Sequence, residues 1–256
     1  MSKQQAEVAD RVVMRDIRKR YGMVDALRGA TLRVGVGEVV GLVGDNAAGK
    51  STMMKVLAGA VVPDSGEIVF DGRPVSFASP RDARELGIEM VYQDLALCDD
   101  IDVAGNLFLG REPRRAGGLL LDVAKMHREA RQHLDALNIR IPLTDIPVGG
   151  LSGGQRQAVA IARAVTFAPK LLILDEPTAA LAVTEVETVL ELIKTISAQG
   201  VSVILITHRL QDLFRVCDRL SVMYEGTLRA DLDARETSLE QLVSEIVAHE
   251  LPEGAR

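Results

Sequence analysis

The chain has 256 residues, of which 47% are hydrophobic and 26% charged, a balance typical of a globular protein with a full core. Its net charge is -6, aromatic residues make up 3% and tryptophan is absent. This argues against a nucleic-acid partner, because phosphate binding needs clustered Lys and Arg and base stacking needs aromatic rings. Cys98 and Cys217 lack metal-ligand spacing, so we expect reduced thiols. The polar segment 1–11 does not resemble a signal peptide, and no apolar run reaches the about 20 residues of a membrane helix, so a cytoplasmic chain is expected.

The first third of the chain alternates apolar, β-rich runs with helix-forming segments. Strands are expected where apolar runs are bounded by turn residues, and Asp71-Gly72 is typical of a hairpin turn. Ser79 followed by Pro80 is typical of a helix start. The predicted elements are strands at 38–44 and 88–93, a hairpin at 66–75, and helices at 49–59 and 79–86.

From about residue 96 to 165 the strand pattern stops and helical patterns follow. Loops are predicted at 111–118 and 141–150. The basic cluster in the first of these is expected to be a solvated loop, with a contact to lipid headgroups or a partner as the alternative. The cluster consists of Arg111, Arg114 and Arg115.

Strands return in the last third, at 170–175, 201–207 and 219–224. A helix lies between the first two, and the spacing of Thr184 and Glu187 predicts a capping box at its start. Strand–helix alternation predicts a parallel sheet covered by helices, with the middle region as a helical insertion.

The segment GDNAAGKST (44–52) follows a predicted strand and opens a predicted helix, and it has the spacing G-x-x-x-x-G-K-[ST] of a P-loop. Its glycines allow consecutive backbone N–H groups to wrap a phosphate chain, and the helix N-terminus adds the positive end of its dipole. Lys50 would reach the β- and γ-phosphates, and the Ser51 hydroxyl would ligate Mg²⁺. We therefore predict a nucleoside triphosphate site made by Gly44, Asp45, Asn46, Ala47, Ala48, Gly49, Lys50, Ser51 and Thr52.

A second motif, LLILDEP, places two carboxylates at the end of an apolar strand. Asp175 stands where a Walker-B aspartate holds Mg²⁺, usually through water. Glu176 follows directly and could polarise the attacking water as a general base.

A third motif, LSGGQ, precedes an apolar helix. Ser152 stands at the expected N-cap, and Gly153 and Gly154 expose backbone N–H groups, which makes a second anion-binding helix start. One γ-phosphate has no need of two such sites in one chain. With LSGGQ between a P-loop and a Walker B, the chain resembles the ATP-binding-cassette ATPases from about residue 11 to 230.

The resemblance implies an α/β P-loop NTPase fold with a RecA-like core, a β-rich N-terminal subdomain and an inserted α-helical signature subdomain at about 96–165, all within one domain spanning 1–256. It also implies that two copies pair head to tail with two-fold symmetry. The signature of one copy would then cover the ATP on the P-loop of the other. The signature residues are Ser152, Gly153, Gly154 and Gln155.

Three more site residues follow from the resemblance. Tyr21 matches the aromatic residue that stacks on adenine, with an ordinary half-buried strand tyrosine as the alternative. Gln93 matches the glutamine that contacts Mg²⁺ or the attacking water. His208 matches the histidine that hydrogen-bonds the γ-phosphate. The histidines without such context, expected on helix surfaces, are His127, His133 and His249.

The chain departs from most family members at two places. Ala47 replaces a glycine, and its methyl group would cost on the order of 1 kcal/mol or more if the local φ is positive. The segment 179–182, AALA, lacks the serine and aspartate that cross the dimer in most members. That feature and the segment 87–112 resemble the cassettes of bacterial monosaccharide importers, in particular the fructose-type ones.

The resemblance therefore implies an ATPase, with ATP and Mg²⁺ as cofactors, that drives import of a monosaccharide through a separate membrane permease. The expected partners are a second copy, the permease and, indirectly, a periplasmic sugar-binding protein. The expected location is peripheral, on the inner face of the bacterial cell membrane, with the segment after Gln93 lining the groove for the permease.

An importer cassette for amino acids and a nucleotide-switched interaction protein remain alternatives. The tail after about 231 is expected to hold one helix, since Ser238 and Gln241 are spaced as a capping box.

Overall fold

The structure is a computed structural model and describes residues 9–247. The strands in this range are β1 (Asp10–Tyr21), β2 (Val24–Gly35), β3 (Val39–Gly44), β4 (Ser65–Phe70), β5 (Arg73–Val75), β6 (Ile88–Val91), β7 (Arg114–Arg115), β8 (Leu120–Leu121), β9 (Leu171–Asp175), β10 (Ser202–Ile206), β11 (Arg219–Tyr224) and β12 (Thr227–Asp233). The α-helices are α1 (Lys50–Leu57), α2 (Pro80–Glu85), α3 (Val103–Phe108), α4 (Val123–Ala136), α5 (Gly153–Val165), α6 (Val183–Ala198), α7 (Leu210–Val216) and α8 (Leu239–Val247).

Two larger sheets organise the described part of the chain. The first is antiparallel, with strand order β2-β1-β4-β5. The second has the order β12-β11-β3-β10-β9-β6, and its strands from β11 to β6 run parallel, with β12 antiparallel at the edge. This confirms the predicted α/β fold with a parallel sheet covered by helices.

Both faces of the parallel sheet are buried. Val203 and Leu205 of β10 belong to the hydrophobic cluster shared with α5 and α6, whereas Ile204 and Ile206 face the cluster shared with α1 and the antiparallel sheet. Burial on both faces explains why the central strands appear in the sequence as continuous apolar runs and not as alternating ones.

The segment 111–118, predicted as a loop, contains part of a short hairpin. Arg114–Arg115 pairs antiparallel with Leu120–Leu121. Positive φ angles at Ala116, Gly117 and Gly118 reverse the chain between the two strands. The loop prediction is thus wrong for Arg114 and Arg115, which form a strand. Their pairing depends on the turn at 116–118, where glycine adopts a positive φ at little energetic cost.

Arg111 is exposed, and its side chain also has partners within the chain. Its Nη2 donates to Oε1 of Glu89 at 3.0 Å, and its guanidinium lies 4.4 Å from the ring centroid of Phe167. Arg114 and Arg115 are exposed, as expected. The predicted solvent exposure therefore holds for all three arginines, and the structure adds that Glu89 and Phe167 hold Arg111 in place.

The capping box predicted at Thr184 and Glu187 is wrong. The helix α6 begins at Val183 with Ala182 as N-cap, and Oε2 of Glu185 accepts a hydrogen bond from the Ala182 N–H at 3.1 Å. The acidic residue that serves the helix start is therefore Glu185. An alanine at the N-cap hid this start, because its methyl group gives no capping signal.

The C-terminal region contains a strand before its helix. β12 pairs with β11 and was not predicted, since it reads as an exposed, charge-rich segment. The capping box at the start of α8 is confirmed: Ser238 N donates to Oε1 of Gln241 at 2.7 Å, and Gln241 N donates to Oγ of Ser238 at 3.2 Å.

His249 and residues 1–8 of the polar N-terminal segment lie outside the described residues, while His127 and His133 lie half-buried on α4. Within residues 9–247, none of the helices has the length and apolar character needed to span a bilayer.

Candidate nucleotide-binding site

The predicted site residues follow the carboxyl ends of four neighbouring parallel strands, β3, β10, β9 and β6. The P-loop follows β3, His208 follows β10, Asp175 ends β9, and Gln93 follows β6. Ile206 at the end of β10 pairs in register with Asp175. Because these ends share one edge of the sheet, residues from four distant segments meet there, as ligand sites of open α/β sheets do.

The glycines of the P-loop are required by close contacts within the chain. Gly44 has φ 143°, and a Cβ there would lie 2.1 Å from the carbonyl oxygen of Met223. Gly49 has φ 99°, and a Cβ there would lie 2.7 Å from the carbonyl oxygen of Ala26. The loop is therefore held between β11 and β2, which fixes its shape before any ligand binds.

Lys50 folds back into the loop. Its Nζ donates to the carbonyl oxygens of Gly44 at 2.7 Å and Asp45 at 2.8 Å. Burial lowers the pKa of Lys50, while the nearby negative charges of Glu176, Asp45 and Asp175 oppose that shift. The ammonium group is thus placed between the P-loop and the two carboxylates of the next motif.

The other P-loop residues differ in exposure. Ala48 is buried, and its carbonyl oxygen accepts a hydrogen bond from Gly226 N at 3.0 Å. Ala47 has φ 73°, so the methyl group stands in the left-handed region at a cost of about 1–2 kcal/mol. Ala47 is exposed, as are Asp45, Asn46 and Ser51. Thr52 is half-buried.

Asp175 and Glu176 form a carboxylate pair beside Lys50. Burial raises the pKa of Asp175, the neighbouring charge of Glu176 raises it further, and Lys50 and Lys55 lower it. Two adjacent, half-buried carboxylates make a place where a divalent cation would relieve both repulsion and desolvation. The donor set of Asp175 together with the Ser51 hydroxyl therefore fits Mg²⁺.

Glu176 also meets the predicted histidine. Its Oε2 lies 2.8 Å from Nδ1 of His208 and accepts a longer hydrogen bond, 3.4 Å, from the backbone N–H of the same residue. Glu176 has φ 53° and is anchored by its own N–H, which donates to the carbonyl oxygen of Ile206 at 2.9 Å. The His208 side chain is 72% exposed, so one face of the ring remains open to solvent.

Tyr21 and Gln93 are both exposed, at the end of β1 and after β6, respectively. Tyr21 ends β1 with 45% exposure, and Nζ of Lys19 lies 5.7 Å from its ring centroid. The hairpin from β1 to β2 carries Ala26, which contacts the P-loop at Gly49. Gln93 is exposed in the bend after β6.

The signature turn starts helix α5 with a capping box. Ser152 N donates to Oε1 of Gln155 at 3.0 Å, and Gln155 N donates to Oγ of Ser152 at 3.3 Å. Oε1 of Glu185 accepts hydrogen bonds from the Ser152 hydroxyl at 2.8 Å and from Gly154 N at 3.0 Å. In residues 9–247, the hydrogen bonds of this turn run within the turn and to α6, and none runs to segment 44–52.

Sequence reasoning missed two arginines of α5. Arg163 donates to the carbonyl oxygens of Leu95 and Ala96, both at 2.7 Å, and Arg156 donates to Oδ1 of Asp99 at 2.6 Å. They tie the segment after Gln93 to the signature helix. Their partners lie 57 to 68 positions away in the chain, so no local sequence pattern indicates them.

A groove lies beside that segment, between β6, α3 and the C-terminal end of α5. It is lined by Glu89, Tyr92, Leu109, Arg111, Arg163 and Phe167, among others. Its lining contains both apolar and charged side chains, and Tyr92 and Leu109 are exposed.

The fold, and the P-loop at the carboxyl edge of its parallel sheet, define this chain as a P-loop nucleoside triphosphatase. The family model for ABC transporters matches residues 27–179. The xylose/arabinose import ATP-binding protein XylG of Sulfolobus acidocaldarius is 46% identical over 235 residues, which cover 92% of this chain and 93% of that protein. The fructose import ATP-binding protein FrcA of Rhizobium meliloti is 43% identical over 236 residues, covering 90% of this chain and 91% of that protein.

A solved structure also matches this chain. The structure of cbiO1 from Clostridium perfringens, part of an ABC transporter complex, matches with a TM-score of 0.78 and 30% identity, over 95% of this chain and 96% of that one. The chain therefore belongs to the ABC transporter family. It is an ATP-binding cassette with ATPase activity, as the sequence predicted.

Proposed function

We propose that two copies of this cassette bind two MgATP between them and that hydrolysis drives import of a monosaccharide through a separate membrane permease. One observation carries the paired arrangement: the P-loop, the carboxylates and His208 share one strand edge, whereas, among residues 9–247, the side chains and N–H groups of Ser152–Gln155 bond within the turn and to α6 and not to the P-loop. A second copy supplies the missing half of each site. Two relatives named for xylose/arabinose and fructose import match over nearly the whole chain, which supports a sugar as the cargo.

Each residue of the edge has a role in this proposal. Lys50 turns from the carbonyl oxygens of Gly44 and Asp45 to the β- and γ-phosphates, and the N–H groups of the P-loop surround the phosphate chain. Glu176 accepts a proton from the attacking water at its carboxylate. His208 leaves Glu176 and donates to the γ-phosphate. Tyr21 stacks on the adenine ring.

Ser51, Asp175 and Gln93 would hold Mg²⁺. Burial, and then the charge of Glu176, raise the pKa of Asp175, and a bound cation would offset both causes. When bound, Mg²⁺ neutralises charge on the β- and γ-phosphate oxygens. The signature residues of the partner copy complete the site from the opposite side.

The permease would dock in the groove beside β6. Residues 96–165 would form the helical subdomain that carries one wall of this groove, and Arg156 and Arg163 would pass its movement to the signature turn. The cassette would then lie peripherally on the inner face of the cell membrane. A periplasmic binding protein would deliver the sugar from the other side, so the cargo would not touch this chain.

The test is ATP-driven uptake in proteoliposomes that hold this cassette with the permease encoded beside its gene. Uptake of xylose, arabinose or fructose, stimulated by ATP and lost with Glu176→Gln, is the expected result. Uptake of amino acids instead would identify the other importer class. ATP hydrolysis that no permease or solute changes would favour a nucleotide-switched interaction protein and would overturn the import proposal.

A further inference from the structure

An acidic side chain from α6 occupies the start of the signature helix. Oε1 of Glu185 accepts from the Ser152 hydroxyl at 2.8 Å and from Gly154 N at 3.0 Å. Its other oxygen, Oε2, accepts from Ala182 N at 3.1 Å. One carboxylate thus joins the N-terminal ends of α5 and α6.

The space at Gly154 is shaped for this side chain. A Cβ on Gly154 would lie 2.7 Å from both Cβ and Cγ of Glu185 and 2.9 Å from its Cδ. Gly154 is buried and its φ is not positive, so the missing side chain serves close packing and not an unusual backbone conformation. The glycine expected to leave room for a phosphate leaves room here for Glu185.

The carboxylate is charged at neutral pH. Hydrogen bonds from Gly154 N, the Ser152 hydroxyl and Ala182 N lower the pKa of Glu185. It stands at the positive end of the α5 dipole, where an anion is favoured. The unpaired cassette therefore already holds an anion at the groups that would receive the γ-phosphate of a second copy's ATP.

We propose that Glu185 is an internal substitute for that phosphate: it holds Ser152 and Gly154 in the unpaired cassette and must release them when a second copy presents ATP. This inference rests on the proposed function, since it requires the signature turn to face the partner's nucleotide. Glu185 then opposes pairing of cassettes, because two anions at one helix start repel each other. Only a nucleotide with a terminal phosphate displaces it, which restricts pairing to the ATP-bound form.

The test measures the dissociation constant of the ATP-bound dimer by analytical ultracentrifugation, in the Glu176→Gln background that retains ATP. Adding Glu185→Gln removes the charge and nearly keeps the shape. We expect the dissociation constant to fall roughly tenfold, because a like-charge contact is lost from the interface. The melting midpoint of the nucleotide-free monomer should fall at the same time, because its charge-assisted hydrogen bonds are lost.

These opposite signs separate the proposal from a purely structural role, in which both the monomer and the dimer would weaken. Glu191→Gln is the matched control: it removes one charge from an exposed i,i+3 pair on the same helix and should leave the dissociation constant unchanged. Glu185→Ala is the second variant and must shift pairing in the same direction.

The outcomes distinguish a failure of the paired site from a failure of the role of Glu185. If Glu176→Gln cassettes fail to pair with ATP, the paired site and the role of Glu185 both fall. If they pair, and neither Glu185 variant tightens pairing, the role of Glu185 alone is overturned and the proposed function stands.

Discussion

Nδ1 of His208 lies 2.8 Å from Oε2 of Glu176, across the ends of the neighbouring strands β10 and β9. The two residues are 32 positions apart in the chain, and parallel pairing of their strands brings them together. The imidazole ring of His208 thus engages the carboxylate of Glu176. In the proposed reaction the histidine must turn to the γ-phosphate, which frees the carboxylate to accept a proton from water.

Replacing Glu176 with glutamine tests the role of the carboxylate. The amide keeps the shape but accepts no proton, so we expect ATP turnover to fall by about 10²–10⁴-fold while ATP binding survives. Phosphate release and the ATP-dependent shift in melting midpoint measure the two effects. Glu187→Gln is the control: it breaks a surface pair between Glu187 on α6 and Arg215 on α7 and should keep full turnover. Undiminished turnover in the Glu176 variant would remove it from the mechanism.

Lys50→Ala should abolish most of the stabilisation that MgATP confers. At a ligand concentration about 100-fold above Kd, the wild type should gain roughly 2.7 kcal/mol. Lys50 also bonds two P-loop carbonyl oxygens, so the nucleotide-free variant will differ in stability, and the comparison is of the shift with MgATP. Lys55→Ala, on the same helix, should keep most of that shift. A wild-type protein without any shift at millimolar MgATP would contradict the nucleotide site.

Ala47→Gly should leave the cassette equally stable or make it more stable by up to about 1 kcal/mol. Glycine relieves the strain of φ 73°, and this gain exceeds or offsets the added chain entropy of the unfolded state. Ala48 is the matched control, because its φ is not positive and its side chain is buried. Ala48→Gly should lower the free energy of unfolding by about 1 kcal/mol. The measurement is the free energy of unfolding of both variants in urea. An equal loss of stability in Ala47→Gly and Ala48→Gly would contradict the strain at Ala47.

A mixture of two inactive variants tests the pairing of copies. Lys50→Ala disables a P-loop, and Ser152→Arg blocks a signature turn. A heterodimer then holds one site with both defects and one with neither, so activity should return in the mixture. The measurement is ATP hydrolysis with the permease present, against each variant alone. Activity that simply follows the proportion of residual single-variant activity would argue for sites made within one chain.

Asp71 makes part of the stability depend on pH. Burial alone would raise the pKa of Asp71, but hydrogen bonds and charges from Lys170 and Arg11 outweigh it, and the net pKa lies below the ordinary value. A carboxyl group with a depressed folded-state pKa stabilises the protein above its unfolded-state pKa, and this contribution disappears as the pH falls through the folded-state pKa.

Asp71→Asn should therefore cost about 1–2 kcal/mol of unfolding free energy at neutral pH, and the difference from wild type should shrink below about pH 4. Denaturant unfolding at several pH values measures it. Asp25→Asn, in an exposed pair with Arg20, should change little at any pH. A constant difference for Asp71→Asn across the range would show that its charge is not the cause.

The sequence by itself determined the parts of the site that lie within a few residues of one another. The P-loop, the Asp175-Glu176 pair and the N-cap at Ser152 depend on strand ends, helix starts and short spacings within one segment, which local chemistry dictates. The order of strand and helix patterns was also enough to predict a parallel sheet, because crossover helices leave no other arrangement.

Only the tertiary structure decided the contacts between distant segments. The sequence left the φ of Ala47 open, and its sign follows from how β2 and β11 hold the loop at Gly44 and Gly49. Glu185 looked like an ordinary helix residue, because its partner Ser152 stands 33 positions earlier in the chain. Such partners depend on strand order and helix packing, which no spacing within a single segment encodes.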